Sequence, residues 1–140
     1  MHDRWENTVR FAETDAQGIV FYGTYVTYQD ETFTAYMDAV GFPYDELRAD
    51  AWDAHVVNLE LDFRSQATFR DRLVNGMRVD AIGESSLTFD YRCRRADDGT
   101  TVVEGSVTHV AVDDAGEPTR VPDDFRQAVV AAQDAAPDPV

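Results

Sequence analysis

The chain has 140 residues, enough for one domain that buries its own core without staples. Twelve basic residues against 27 acidic ones give a net charge of −15, which disfavours nucleic acid because the phosphate backbone meets a repulsive field. No apolar run is long enough to span a bilayer and no basic-then-apolar leader opens the chain, while the single cysteine, Cys93, excludes an intrachain disulfide and a cysteine metal cluster.

A cytoplasmic protein without a membrane partner is therefore expected. All twelve basic residues are Arg, and Lys is absent. With the Asp and Glu excess, this points to a halophilic cytosol, where concentrated salt screens the self-repulsion of the chain.

Residues 5–11, WENTVRF, alternate between Trp5, Asn7, Val9, Phe11 and the intervening Glu6, Thr8, Arg10, which predicts a short half-buried strand. A polar loop over 12–22 follows. It carries Asp15, and Gly18 allows a sharp turn through positive φ. A helix is predicted from Gly23 or Thr24 to Val40. Tyr25, Tyr28, Thr32 and Tyr36 form one stripe, and Val26, Phe33, Met37 and Val40 another. Two stripes imply a helix apolar around much of its girth, hence a central one. Gly41 and Pro43 end it. Residues 44–54 read as a short helix or a lid-like connection.

From His55 the period becomes two. Val57, Leu59, Leu61 and Phe63 are predicted to face one way, with Asn58, Glu60, Asp62 and Arg64 opposite. Further strands are predicted over 72–83, 86–95 and 101–112, with a hairpin turn at Asp97-Asp98-Gly99. A last helix runs from Pro122 to about Gln133, and residues 134–140 read as a frayed tail. The order is strand, long helix, four antiparallel strands, helix. This predicts an α+β fold, one antiparallel sheet wrapped around a long central helix in a single domain over 1–140. The exposed sheet edge and face of such a fold need cover, so a homodimer or homotetramer is expected.

The run ETDAQGIVFYGTYVTY resembles the 4-hydroxybenzoyl-CoA thioesterase family of hotdog-fold acyl-CoA thioesterases. The family pattern is Asp, two residues, Gly, then Val two residues on, an aromatic or Asn pair, and a Tyr near the helix start. Asp15, Gly18, Val20, Phe21, Tyr22 and Tyr25 occupy those places. RSQATFRD, ADDGT, VEGSVTHVAVD and DAGEPTRVPDDF are similar too, so the resemblance covers most of the chain. Some members carry Pro after the Asp and others His where Ile19 stands; this chain has neither.

The resemblance implies a cofactor-free acyl-CoA thioesterase with Asp15 as general base or nucleophile. It implies that the Tyr22 backbone N–H, beside Gly23, polarises the thioester carbonyl. Gly18, Val20, Phe21 and Tyr25 are the implied substrate-side residues. A carboxylate can attack to form an anhydride or can deprotonate a water, and both routes stay open. An unpaired N–H at a helix start is suited to the developing oxyanion. Read without the motif, Asp15 is a solvated loop acid; a helix cap fits poorly, because Thr24 stands nearer the helix.

Coenzyme A brings several phosphate charges, so Arg must gather locally to receive it. Candidates are Arg64, Arg70 and Arg72, a second group of Arg92, Arg94 and Arg95, and Arg120. His55 and His109 lack partners at metal-ligand or triad spacing and read as satisfied strand histidines, so no metal site is expected. No Gly-x-Ser-x-Gly elbow is present, and Cys93 reads as inert. A non-catalytic acyl-CoA-binding or sensing domain is the alternative. A hydratase on the same fold would want a His in the loop, and none lies between Asp3 and Asp53.

Overall fold

The computed structural model describes residues 1–133 and 136–139. Strand β1 spans Asp3–Thr8, helix α1 Thr24–Ala39, β2 Asp53–Phe63, β3 Arg72–Ile82, β4 Ser86–Arg95, β5 Thr101–Val112, α2 Asp123–Ala132 and β6 Asp138–Pro139. The sheet order is β1-β3-β4-β5-β2, antiparallel throughout. β6 adds a parallel pairing of Ala81 with Asp138 and of Ile82 with Pro139. Of the tail expected to fray, residues 134, 135 and 140 lie outside the described residues.

The antiparallel sheet, the helix against it and the short C-terminal helix are the architecture the resemblance implies. The hydrophobic core runs between them. Phe89 of β4 meets Phe33 and Tyr36 of α1 edge-on, at 5.5 Å between ring centroids in both pairs. Phe125 of α2 closes one end against Phe42 and Trp52.

Helix α1 departs from the expected girth. Tyr25, Tyr28, Gln29, Thr32, Phe33, Tyr36 and Met37 are buried, whereas Val26, Thr27, Asp30, Glu31, Thr34 and Asp38 are exposed. The helix buries one face against the sheet and leaves the other outside in the single chain. Gly41, at φ 85°, sits just past its end, and the Phe42 N–H donates to the Met37 carbonyl across that turn. The connection after it is a 3-10 helix over Tyr44–Asp50, pinned by buried Leu47.

Two strand expectations also shift. β1 ends at Thr8; Val9 then pairs with the backbone of Arg70 and Asp71, and Phe11 swings outward to 76% exposure on a 3-10 turn, Phe11–Glu13. In β2, Val57 and Phe63 are exposed at 61% and 53% rather than facing the core. β2 is an edge strand that, among the described residues, pairs with β5 alone, and its register slips between Val56 and Asn58. Position in the sheet, not sequence alternation, sets its exposure.

The end of α2 is tied to the sheet by a side chain acting as backbone. The Gln133 amide accepts from the Val79 N–H at 2.6 Å and donates to the Val79 carbonyl at 2.9 Å. Its oxygen also receives the Tyr36 hydroxyl at 2.9 Å. The amide thus continues the β3 ladder just before β6 pairs with Ala81.

Candidate active site

The segment from Glu13 to Tyr25 is fixed at several points. The Asp15 N–H donates to the Ile19 carbonyl and the Gly18 N–H to the Asp15 carbonyl, both at 2.9 Å. Gly18 sits at φ 79°, a conformation that a side chain disfavours. Isolated bridges join Thr14 to Val20 and Ile19 to Thr68. Val20 is buried in the core, and its N–H donates to the Ala67 carbonyl at 2.9 Å.

Asp15 is half-buried. Its Oδ1 accepts the Gln17 N–H at 2.8 Å, which fixes the carboxylate's direction; Oδ2 has no protein partner among the described residues. One oxygen therefore orients the group and the other is available for chemistry.

Helix α1 begins right after this loop. Among the described residues, neither the Tyr22 nor the Gly23 N–H donates to a backbone carbonyl, while Thr24, Tyr25 and Val26 already bond back to Phe21, Tyr22 and Gly23. Two open donors thus stand at the positive end of the helix. A Cβ on Gly23 would lie 2.8 Å from the Phe21 ring, which would have to shift to admit it. The Phe21 and Tyr22 rings lie 4.6 Å apart, and Tyr22 and Tyr25 both meet Phe63 of β2, at 6.5 and 5.9 Å. Tyr25 is buried, and burial pushes its hydroxyl up to about 12, so it stays protonated at neutral pH. Tyr22 and Phe21 remain 67% and 45% exposed, so the site of a single chain is open on that side.

Two residues outside the implied site, Glu13 and Tyr28, hold this loop on the helix. The Tyr28 hydroxyl donates to Glu13 Oε1 at 2.9 Å, and the same oxygen accepts the Arg10 N–H at 2.8 Å. Burial first, and then the Glu13 carboxylate, raise the Tyr28 hydroxyl far above its ordinary range. The Glu13 carbonyl accepts the Phe21 N–H at 2.9 Å. Both Glu13 Oε1 and the Glu13 carbonyl are therefore engaged within the loop. No local signal links residues fifteen apart, although Tyr28 does lie on the Tyr25 stripe.

Three of the candidate arginines are held by carboxylates. Arg64 and Arg92 share Glu104, at 3.3 and 3.6 Å. Arg120 pairs with Glu84 at 2.8 Å and with Asp123 at 2.9 Å, beside the start of α2. Cys93 is buried, and burial drives its thiol up to about 12, so it stays a neutral thiol.

His109 departs from expectation. It is buried, and both ring nitrogens lack a hydrogen-bond partner among the described residues. It packs edge-on against Phe33 at 4.4 Å and helps line a hollow of about 360 Å³ with Thr34, Tyr44 and His55. Burial, then the nearby His55, lowers it to about 4. His55 stands 3.4 Å from Asp53. Burial opposes ionisation of Asp53, but the Ala54 N–H, the Tyr44 hydroxyl, His55 and Arg48 together outweigh it and hold the carboxyl below its ordinary range. This cluster occupies the opposite end of β2 from Phe63.

Comparison with known proteins agrees with the fold. A curated putative esterase of Aquifex aeolicus is 26% identical over 87 residues, 62% of this chain and 68% of that protein. A 1,4-dihydroxy-2-naphthoyl-CoA hydrolase of Synechococcus elongatus is 25% identical over 91 residues, 64% of this chain and 67% of that protein. The crystal structure of a hypothetical protein from Thermus thermophilus superposes with a TM-score of 0.85 at 28% identity, covering 94% of this chain and all of that one (100%). The family model described as the thioesterase-like superfamily matches residues 9–129, and the chain belongs to that superfamily.

Proposed function

We propose that the protein hydrolyses the thioester bond of an acyl-CoA to a free acid and coenzyme A. The observation that carries this reading is the adjacency, on one short and rigid segment, of an oriented carboxylate with a free oxygen at Asp15 and open N–H donors at Tyr22 and Gly23. The thioester carbonyl oxygen would accept the Tyr22 N–H, aided by the helix dipole. Donors of this kind lower such barriers by roughly 3 kcal/mol each. Asp15 either takes a proton from the attacking water or attacks the acyl carbon itself, the resulting anhydride then being opened by water. In both routes an acyl carbon–oxygen bond forms and the carbon–sulfur bond breaks. The thiolate of coenzyme A leaves and takes up a proton, and one water is consumed overall. Phe21, Tyr25 and Gly18 shape the substrate side of the loop, and no cofactor enters the scheme.

The acyl class is informed by the hydroxynaphthoyl substrate in the name of the Synechococcus relative, which makes aromatic acyl groups the first to try. Two or four copies are expected to complete the site. Support comes from the exposed apolar band of Phe21, Tyr22 and Val26 at the start of α1, continued by Val56, Val57 and Phe63 on the outer strand β2. A thiol-release assay over short, long and aromatic acyl-CoAs tests the reading. Release above the uncatalysed rate for at least one class is expected. Saturable binding of acyl-CoA with no thiol released from any of them would leave a binding or sensing domain instead.

A further inference from the structure

The exposed arginines of this acidic chain are almost all occupied. Arg10, Arg48, Arg64, Arg72, Arg92 and Arg120 each have a carboxylate at 2.8–3.7 Å. Arg70 is the exception among the exposed arginines of the described residues: it has no acid or carbonyl partner, and its guanidinium lies over the Phe69 ring, 5.1 Å from the centroid. Phe69 in turn meets Phe11 edge-on at 5.9 Å, and both rings are open to solvent, at 47% and 76% exposure. Two exposed aromatic faces and one uncommitted cation therefore stand together.

The backbone adds a second observation. Arg70 sits at φ 72°, where glycine is favoured and an L side chain is strained. The turn cannot relax this locally. The Arg70 N–H donates to Val9, the Asp71 N–H to Thr68, and the Asp71 carboxylate receives the Thr68 N–H at 2.8 Å. That last contact also turns the Asp71 carboxylate toward its own turn. A strained arginine is thus held rigidly where glycine would fit more easily.

The patch adjoins the loop that carries Asp15. Thr68 bridges to Ile19, Ala67 accepts the Val20 N–H, and Glu13, two residues after Phe11, accepts the Phe21 N–H. We propose that Phe11, Phe69 and Arg70 dock the nucleotide end of coenzyme A, the adenine on the exposed rings and a phosphate on the Arg70 guanidinium. This rests on the acyl-CoA reading above and assigns the part of the substrate that the Asp15 loop does not touch. Charge and chemistry select the occupant: the nucleotide is both flat and anionic, and the patch offers π faces with a cation over one of them.

Arg70→Gly tests the proposal without risking the fold, because glycine relieves the backbone. Free coenzyme A binding is measured by calorimetry on the wild type, Arg70→Gly and Phe11→Ala. Loss of one charge-assisted phosphate contact is expected to weaken binding about tenfold in Arg70→Gly, with a melting temperature no lower than wild type. Phe11→Ala is expected to weaken binding severalfold. With thioesters as substrates, KM for acyl-CoA is expected to rise relative to KM for the acyl-N-acetylcysteamine thioester, which has no nucleotide. Coenzyme A affinity within twofold of wild type in both variants overturns the proposal. So does an equal rise in KM for both thioesters, which would mean that Arg70 acts through the fold. A wild type that binds coenzyme A but releases no thiol defeats the hydrolase reading and leaves the docking site intact.

Discussion

At the scale of single residues, most polar groups in the core are satisfied, and His109 stands out. It is neutral at pH 7 and, among the described residues, has two unpartnered ring nitrogens between Phe33 and Phe89. In the unfolded chain it titrates at the ordinary 6.5, and in the folded chain at about 4. Between those values the unfolded chain binds more protons, so folding stability falls as pH drops through this window. Below about 4 this group adds no further loss. His109→Phe is expected to be at least as stable as wild type at pH 7, because no buried nitrogen is left unpaired. It is also expected to lose less stability between pH 7 and pH 5. Urea denaturation at the two pH values reads this, and equal losses in the two proteins would remove His109 from the acid response.

At the scale of elements, Gln133 couples α2, α1 and β3. Gln133→Ala strips partners from the Val79 N–H and carbonyl and from the Tyr36 hydroxyl, all on residues with no exposed surface. The expected cost is about 2–3 kcal/mol, since buried groups left unpaired each cost about 1–3 kcal/mol and some will find water. A loss below about 0.5 kcal/mol by urea denaturation would show that water replaces the amide freely. Gln133 also marks where sequence reading stops. β4 and β5 were legible to the residue at both ends because the alternation over 86–95, the β-rich run over 101–112 and the Asp97-Asp98-Gly99 turn agree. Helix α1 was legible because Gly41 and Pro43 bracket its end. A glutamine at a helix terminus carries no mark that distinguishes a solvated amide from one completing a β ladder. The Glu13–Tyr28 contact, the strained Arg70 and the exposure of β2 were equally hidden, since each depends on partners distant in sequence. The turn of the Asp15 loop at Gly18 was legible because it is set by residues in one contiguous run.

At the scale of the whole molecule, charge dominates. The net −15 sets carboxylates against one another over a small surface. Most of the ion pairs that offset this are exposed and individually worth about 0–1 kcal/mol. Salt screens both, but repulsion summed over an excess of acids outweighs the loss of such pairs. A melting series in KCl is therefore expected to show a midpoint that rises from dilute buffer to molar salt. A protein most stable in dilute buffer would contradict the halophilic reading, and no feature of the site depends on it.

One carboxyl group carries the proposed hydrolysis, and its replacement by an isosteric amide is the sharpest test. Asp15→Asn keeps the Oδ1 acceptor for the Gln17 N–H, so the loop and acyl-CoA binding should persist. The turnover number should fall by about 10³-fold or more, the magnitude associated with loss of an essential base or nucleophile. An Asn variant that turns over within a few fold of wild type, on the substrate the wild type prefers, would take Asp15 out of the chemistry.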